Sequence, residues 1–142
     1  MDFTESDFIV LDHTADLGIM VRGADIKDLF ERAAHAMMKI MVSSKSAEKS
    51  RNHKLSLDGE DLAELMVHWL GEILYLFHGE KKVVTRLEID SISLSHLDAT
   101  LETVSFSTDL HEVLCEIKAA TFHQIEVAEK DDLWEAKVIF DL

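Results

Sequence analysis

A chain of 142 residues and 16.1 kDa has room for one domain spanning 1–142, and at that size burial alone supports folding without disulfides. Twenty-eight Asp and Glu against fourteen Lys and Arg leave a net charge of −14, distributed as −3, −4 and −7 over residues 1–50, 51–100 and 101–142. Such a chain repels phosphate backbones, which excludes autonomous nucleic-acid binding by counterion release, while 47% hydrophobic residues exclude disorder as the origin of the acidity.

In chain order, the apolar run 8–11 precedes a polar turn, Asp12-His13-Thr14-Ala15-Asp16, suited to Asx-type bonding. Leu17, Ile19 and Val21 then alternate with Gly18, Met20 and Arg22, as in a strand. From Asp25 the apolar positions Ile26, Leu29, Phe30, Ala33, Ala34, Met37, Met38 and Met41 follow helical spacing. Residues 43–54 are polar and rich in Lys and Arg, which predicts an exposed loop ending in a short strand at Lys54–Leu57. A second helix carries Leu62, Leu65, Met66, Trp69, Leu70, Ile73, Leu74 and Phe77 on one face, with Gly79 as its stop. Beyond it the period changes to two, predicting mostly antiparallel strands at 83–94, 99–106, 112–122, 124–127 and 134–140.

One internal echo organises these elements. Gly23-Ala24-Asp25-Ile26-Lys27-Asp28-Leu29 aligns with Gly59-Glu60-Asp61-Leu62-Ala63-Glu64-Leu65 at an offset of 36, and the apolar positions of both helices continue in step. Each copy reads as strand, acidic cap, amphipathic helix, with carboxylates favourably placed at the helix N-terminus. Two unrelated capped helices would look alike, and a duplicated unit with one copy inserted in the other is the alternative. Either way the expected class is α+β, a two-layer sandwich of mostly antiparallel or mixed sheet with two helices.

The chemistry-bearing residues are few. The eight histidines include no pair three or four apart, and the single Cys115 forms neither an internal disulfide nor a multi-cysteine zinc site. Cys115 alternates with Val113 and Ile117, so a small core residue on a strand is expected; a lone thiol suits a reducing, cytoplasmic setting. No apolar run approaches the ~20 residues of a membrane span, and the acidic start MDFTESDF is unlike a signal peptide. No serine sits in a Gly-flanked elbow and no glycine-rich phosphate loop is present. At the C-terminal end, a strand running into Asp141-Leu142 would hold the Asp141 side chain and the Leu142 α-carboxylate close together, with Asp16 available as a third carboxylate. Oxygen-only ligands favour a hard ion, Mg²⁺ or Ca²⁺; a solvated acidic terminus is the alternative.

Four segments carry a family resemblance. The 12–19 stretch, Asp12-His13-Thr14-Ala15-Asp16-Leu17-Gly18-Ile19, resembles the opening signature of the archease family. His68 through Phe77 is similar to that family's second-helix motif, with Gly71 where Asn or Asp is usual. Ile117-Lys118-Ala119-Ala120-Thr121-Phe122-His123 resembles its Lys-Ala-x-Thr-Tyr/Phe-His strand, and Trp134 to Leu142 its terminal pattern, with Leu142 for the commoner isoleucine. The resemblance implies a strand–helix–strand–strand unit inserted in a second such unit. It implies a non-catalytic accessory protein that activates an RtcB-type tRNA-splicing RNA ligase by promoting its guanylylation and multiple turnover. The implied metal site is Asp16, Asp141 and the carboxylate end of Leu142, holding Ca²⁺ or Mg²⁺. Lys118 matches a functional family position without an assigned role, and Asp12 and His13 shape the turn that presents Asp16. A general chaperone or adaptor for RNA-modifying enzymes is the rival reading, and a metal-dependent phosphohydrolase a second; the oligomeric state is open.

Overall fold

The computed structural model describes residues 8–12, 16–45 and 49–142, with Asp12 described in its backbone only. The chain runs β1 (Phe8–Asp12), β2 (Asp16–Gly23), α1 (Ile26–Met41), β3 (Val42–Ser44), β4 (Arg51–Asp58), α2 (Leu62–Glu80), β5 (Lys82–Ile92), β6 (His96–Ser105), β7 (His111–Val113), β8 (Ala119–Ala120), β9 (Glu126–Lys130) and β10 (Leu133–Asp141).

The internal echo is three-dimensional. Strands β4, β5 and β6 form a sheet in the order β4-β6-β5, with α2 connecting β4 to β5. In the larger sheet β10 lies between β2 and β9, and α1 follows β2. Both units therefore read strand, helix, strand, strand with the last strand central, and the inner unit is inserted after the helix of the outer one. Every pairing is antiparallel.

Matching local chemistry produces the matching strand-to-helix turns. Asp25 and Asp61 are extended N-caps whose side chains accept from the backbone N–H of Asp28 (2.7 Å) and Glu64 (2.8 Å). Asp28 and Glu64 reach back to accept from the N–H of Ala24 and Glu60, the residue before each cap, a variant of the capping box present in both copies. The glycines before the caps are required by close approach: a Cβ on Gly23 or Gly59 would lie 2.5 Å from the Leu29 nitrogen or 2.7 Å from the Leu65 nitrogen.

The apolar faces of both helices share one core with the inward residues of the sheets, including Ile19, Val138 and Phe140 from the outer unit and Leu97, Ala99 and Leu101 from the inner. Trp69, fully buried, donates its indole N–H to the Phe30 carbonyl at 2.8 Å and ties α2 to α1. A buried indole needs such an acceptor, so this bond also fixes the register between the helices.

Several expected boundaries move. The predicted loop 43–54 is strand at both ends, because β3 pairs with β7 and β4 pairs with β6 from Arg51 onward. The expected strand 112–122 is broken, since β7 belongs to the small sheet with β3 while β8 pairs with β10. The chain crosses between sheets over 114–118, where Leu114 and Cys115 turn their N–H groups to the Met41 carbonyl. Cys115 is thus half-buried against the core in an irregular segment, not on a strand. Gly79 does not stop α2; Lys81 does, in the left-handed conformation at φ 56° with its N–H on the Leu76 carbonyl. Gly79 instead leaves room for a ring, because a Cβ there would meet Tyr75 at 3.0 Å.

Candidate functional site

The carboxylates expected to hold a metal stand on the outer unit. β2 begins at Asp16 and β10 ends at Asp141, and the two residues are direct cross-strand partners. Ala136, Val138 and Phe140 alternate into the core, so the pleat sends Asp141 to the opposite face, where Asp16 opposes it. Directly opposed residues have Cβ atoms about 4.5–5.5 Å apart, and two like charges there are destabilising unless something answers them. Asp16 is half-buried and Asp141 exposed. Asp16 makes a further polar interaction within the chain, while its Oδ1 is buried and receives no hydrogen bond. Leu142 follows Asp141 and is 42% exposed.

The inner unit supplies an internal control at the same place in its fold. Counting from the matched glycines, Asp16 corresponds to Asn52, whose cross-strand partner is Glu102. There an amide faces the carboxylate, and Arg86 approaches Glu102 at 3.7 Å. Only the outer copy sets two acids against each other at this position.

The chemistry of the donors, all oxygen with opposed negative charge, fits a hard divalent cation. Among the described residues no group of three His, Cys, Asp or Glu side chains converges on a metal position.

Lys118 is brought to the same edge by its backbone: its N–H donates to the Asp141 carbonyl at 2.8 Å, and the next residue, Ala119, pairs with Asp141. Lys118 is among the residues lining a groove of about 700 Å³ between β8 and α2. The backbone of Asp12 pairs with Leu17, but its side chain and all of His13 lie outside the described residues.

That groove is the feature sequence reasoning missed. His68, Glu72 and Tyr75 form its exposed stripe on a helix whose other faces are largely buried. Their spacing of three and four was visible in the sequence, interrupting an otherwise apolar helix. Nothing in the helix alone indicated that β8 would arrive opposite it.

A second polar cluster covers the outer face of the inner sheet. His96 Nδ1 lies 2.6 Å from Asp58 Oδ1, and its Nε2 lies 3.2 Å from both Ser56 Oγ and Asp98 Oδ2. The connectivity resembles a serine–histidine–aspartate triad, but Asp98 accepts the Ser56 proton and flanks the ring on its second side. Hydrogen bonds to Asp58 and then Asp98 raise the His96 pKa, favouring imidazolium. An imidazolium held between carboxylates is a poor base, so this cluster is an ion-pair clip. A further cleft of about 460 Å³, between α1 and β5, contains His35, whose pKa is lowered chiefly by burial. No helix among the described residues is long and apolar enough to cross a membrane.

Comparison with known proteins agrees with this architecture. Residues 8–142 match the archease protein family (MTH1598/TM1083). The chain is 32% identical over 136 residues to a protein archease of Methanosarcina barkeri, covering 93% of each. It is 31% identical over 138 residues to the Methanothermobacter thermautotrophicus protein archease, covering 95% of this chain and 98% of the relative. The solution structure of Methanobacterium thermoautotrophicum protein 1598 superposes with a TM-score of 0.75 at 31% identity, over 96% of this chain and 99% of that one. A Thermotoga maritima crystal structure, described as an archease and possible chaperone, shares the fold at a TM-score of 0.63 and 18% identity, over 93% and 94% of the two chains. This chain belongs to the archease family.

Proposed function

We propose that this protein is a non-catalytic accessory factor of the cytoplasm that activates an RtcB-type RNA ligase, promoting guanylylation and repeated turnover in tRNA splicing and RNA repair. The observation that carries the reading is the cross-strand opposition of Asp16 and Asp141, which the inner unit replaces by Asn52 and Glu102. A duplicated scaffold with no functional demand at this place has a neutral solution available, and the inner copy uses it. The outer copy keeps two acids.

Asp16, Asp141 and the main-chain carboxyl of Leu142 would hold Ca²⁺ or Mg²⁺, which supplies charge neutralisation and leaves coordination positions for a partner's groups. The protein's own part is presentation. Pairing of β2 with β10 sets both side chains on one sheet face, and the Lys118 N–H bond to the Asp141 carbonyl holds the strand end against fraying. The net charge of −14 keeps the factor off RNA and favours encounter with a ligase surface electropositive enough to hold RNA and nucleotide.

The test is a ligation time course with RNA in excess over ligase. The wild-type chain is expected to convert single to multiple turnover. Asp16→Asn, Asp141→Asn and a chain extended beyond Leu142 are expected to lose that effect while keeping their circular dichroism spectra. Unchanged stimulation by these variants removes the site assignment. Metal-dependent phosphate release by the protein alone would favour a phosphohydrolase instead, and metal-independent suppression of aggregation of unrelated clients would favour a general chaperone or adaptor.

A further inference from the structure

We propose that the groove between α2 and β8 is a docking slot for the partner protein, receiving an apolar side chain over Gly71 and a carboxylate at Lys118. The inference rests on the reading above that the partner is an RNA ligase, and it supplies the contact surface that reading lacks.

Gly71 is the first observation. It sits in the middle of a 19-residue helix, where glycine is less favourable than alanine for the backbone. Apart from its chain neighbours and the adjacent backbone of its own helix, no heavy atom lies within 4 Å of the place its Cβ would occupy, and its φ is not in the left-handed region. Neither packing nor backbone geometry within the chain therefore calls for glycine here. What glycine does is leave a notch in the helix surface, opening into the groove.

The notch has built walls. Tyr75 stands at its rim, 60% exposed, and its ring lies against the helix because Gly79 offers no Cβ in its way. An aromatic whose orientation is already set loses little conformational entropy on being covered, which suits an anchor at an interface. Two histidines brace the long sides. His68 Nδ1 bonds the Asp58 carbonyl at the end of β4 at 2.8 Å, and His78 Nε2 bonds the Ile117 carbonyl just before β8 at 2.7 Å. The slot is thus held open by the fold itself, before anything enters it.

Its chemistry selects the occupant. Val67 and Leu74 of α2, with Ala119 and Ala120 of β8, make the lining apolar, and the groove is open along the helix instead of closing around a small molecule. Small-molecule sites present several convergent polar groups; here the two histidines already spend a ring nitrogen each on the braces, leaving Glu72 of α2 and Lys118 beside β8 as the charged groups of the lining. Among the described residues Lys118 has no ion-pair partner, although the chain carries twice as many acids as bases. A polypeptide segment carrying an apolar side chain beside an Asp or Glu complements both features. Lys118 also joins the slot to the carboxylate pair, since its N–H holds the Asp141 carbonyl. A segment seated there lies along the strand edge that ends in the metal-site residues.

The experiment measures equilibrium binding of the fluorescently labelled protein to purified ligase, beside the turnover assay. Gly71→Leu fills the notch and is expected to weaken binding at least tenfold, with an unchanged or higher Tm and an unchanged Tm response to Ca²⁺. Gly71→Ala, which adds one methyl, should bind as wild type does. Tyr75→Ser, at an exposed position, is expected to weaken binding several-fold and decides the matter if Gly71→Leu does not fold. Wild-type affinity in both Gly71→Leu and Tyr75→Ser overturns the slot and leaves the proposed function standing. A wild-type chain that neither binds nor stimulates the ligase overturns the proposed function and this occupant together.

Discussion

The outer and inner units are built alike and differ where their strands end. Both pass from strand to helix through a glycine packed under the helix, an aspartate cap and a variant of the capping box. Both pair their first and last strands in equivalent register. At one end of that ladder the outer unit opposes Arg22 to Glu135, bonded at 2.9 Å, and the inner unit opposes Asp58 to His96 at 2.6 Å, the same ion pair with the signs exchanged. At the other end the outer unit opposes Asp16 to Asp141, where the inner unit has Asn52 and Glu102. Scaffold positions in the two copies obey the same rules. Among the described cross-strand pairs, the position that opposes like charges is the one proposed to hold the metal.

Three measurements break or sharpen this comparison. The caps give the largest expected effect: Asp25→Ala and Asp61→Ala should each cost about 1 kcal/mol in urea unfolding, because each removes the acceptor for a helical N–H. Near-equal losses fit equivalent units, whereas a loss confined to one copy would show that the turns resemble each other without sharing a role.

A smaller effect of opposite sign is expected at the strand ends. With divalent ions removed by chelator, Asp141→Asn should stabilise the fold by roughly 0.2–1 kcal/mol, since it relieves a directly opposed like-charge pair. Glu102→Gln, which faces Asn52 and loses Arg86, should give no gain. Equal responses would mean that the acid pair carries no repulsion to relieve.

The smallest effect is a pH dependence at the end of the inner unit's ladder. His96 has a raised pKa, so its pairing with Asp58 and Asp98 is fully present below the ordinary histidine value of 6.5 and is lost as pH rises through the raised one. Asp98, its pKa lowered first by the Ser56 hydroxyl, acts in the reverse sense: its contribution is present above the usual carboxylate value and lost on acidification. NMR titration should place the His96 midpoint above 6.5, and an unshifted midpoint would dissolve the clip. The Arg22–Glu135 pair at the same place in the outer unit contains no histidine.

Much of this is legible in the amino-acid sequence. The repeat around Asp25 and Asp61 marked both helix starts, and the change of period after α2 marked the sheet-rich second half. The carboxylates Asp16 and Asp141 were named as partners across 125 positions of chain, from motif resemblance, and the fold makes them cross-strand neighbours. The misreadings share a cause. Arg51–Lys54 and Ser43–Ser44 are polar because their strands are short or face solvent, and period-two logic fails where half the strand's partners are water. The run 112–122 alternates plausibly, yet its two ends serve different sheets, a matter of long-range pairing that no local pattern records. Gly79 looked like a stop because glycine often follows a helix; here it accommodates the Tyr75 ring, and Lys81 accepts the left-handed cap in its place.

By itself the sequence determined both helices and the longer strands, the repeated strand-to-helix turn, the acidic surface and the identity of the residues with chemistry to offer. These follow from local periodicity, capping and charge, which act within a few residues. Tertiary structure alone decided that two aspartates from opposite ends of the chain would oppose each other, while their counterparts in the inner copy became an amide and an arginine-supported glutamate. It also decided that β8 would lie against the stripe of α2 carrying Gly71 and Tyr75. Both outcomes depend on strand register and on which sheet a segment joins, and those are set by burial of the shared core across the whole chain.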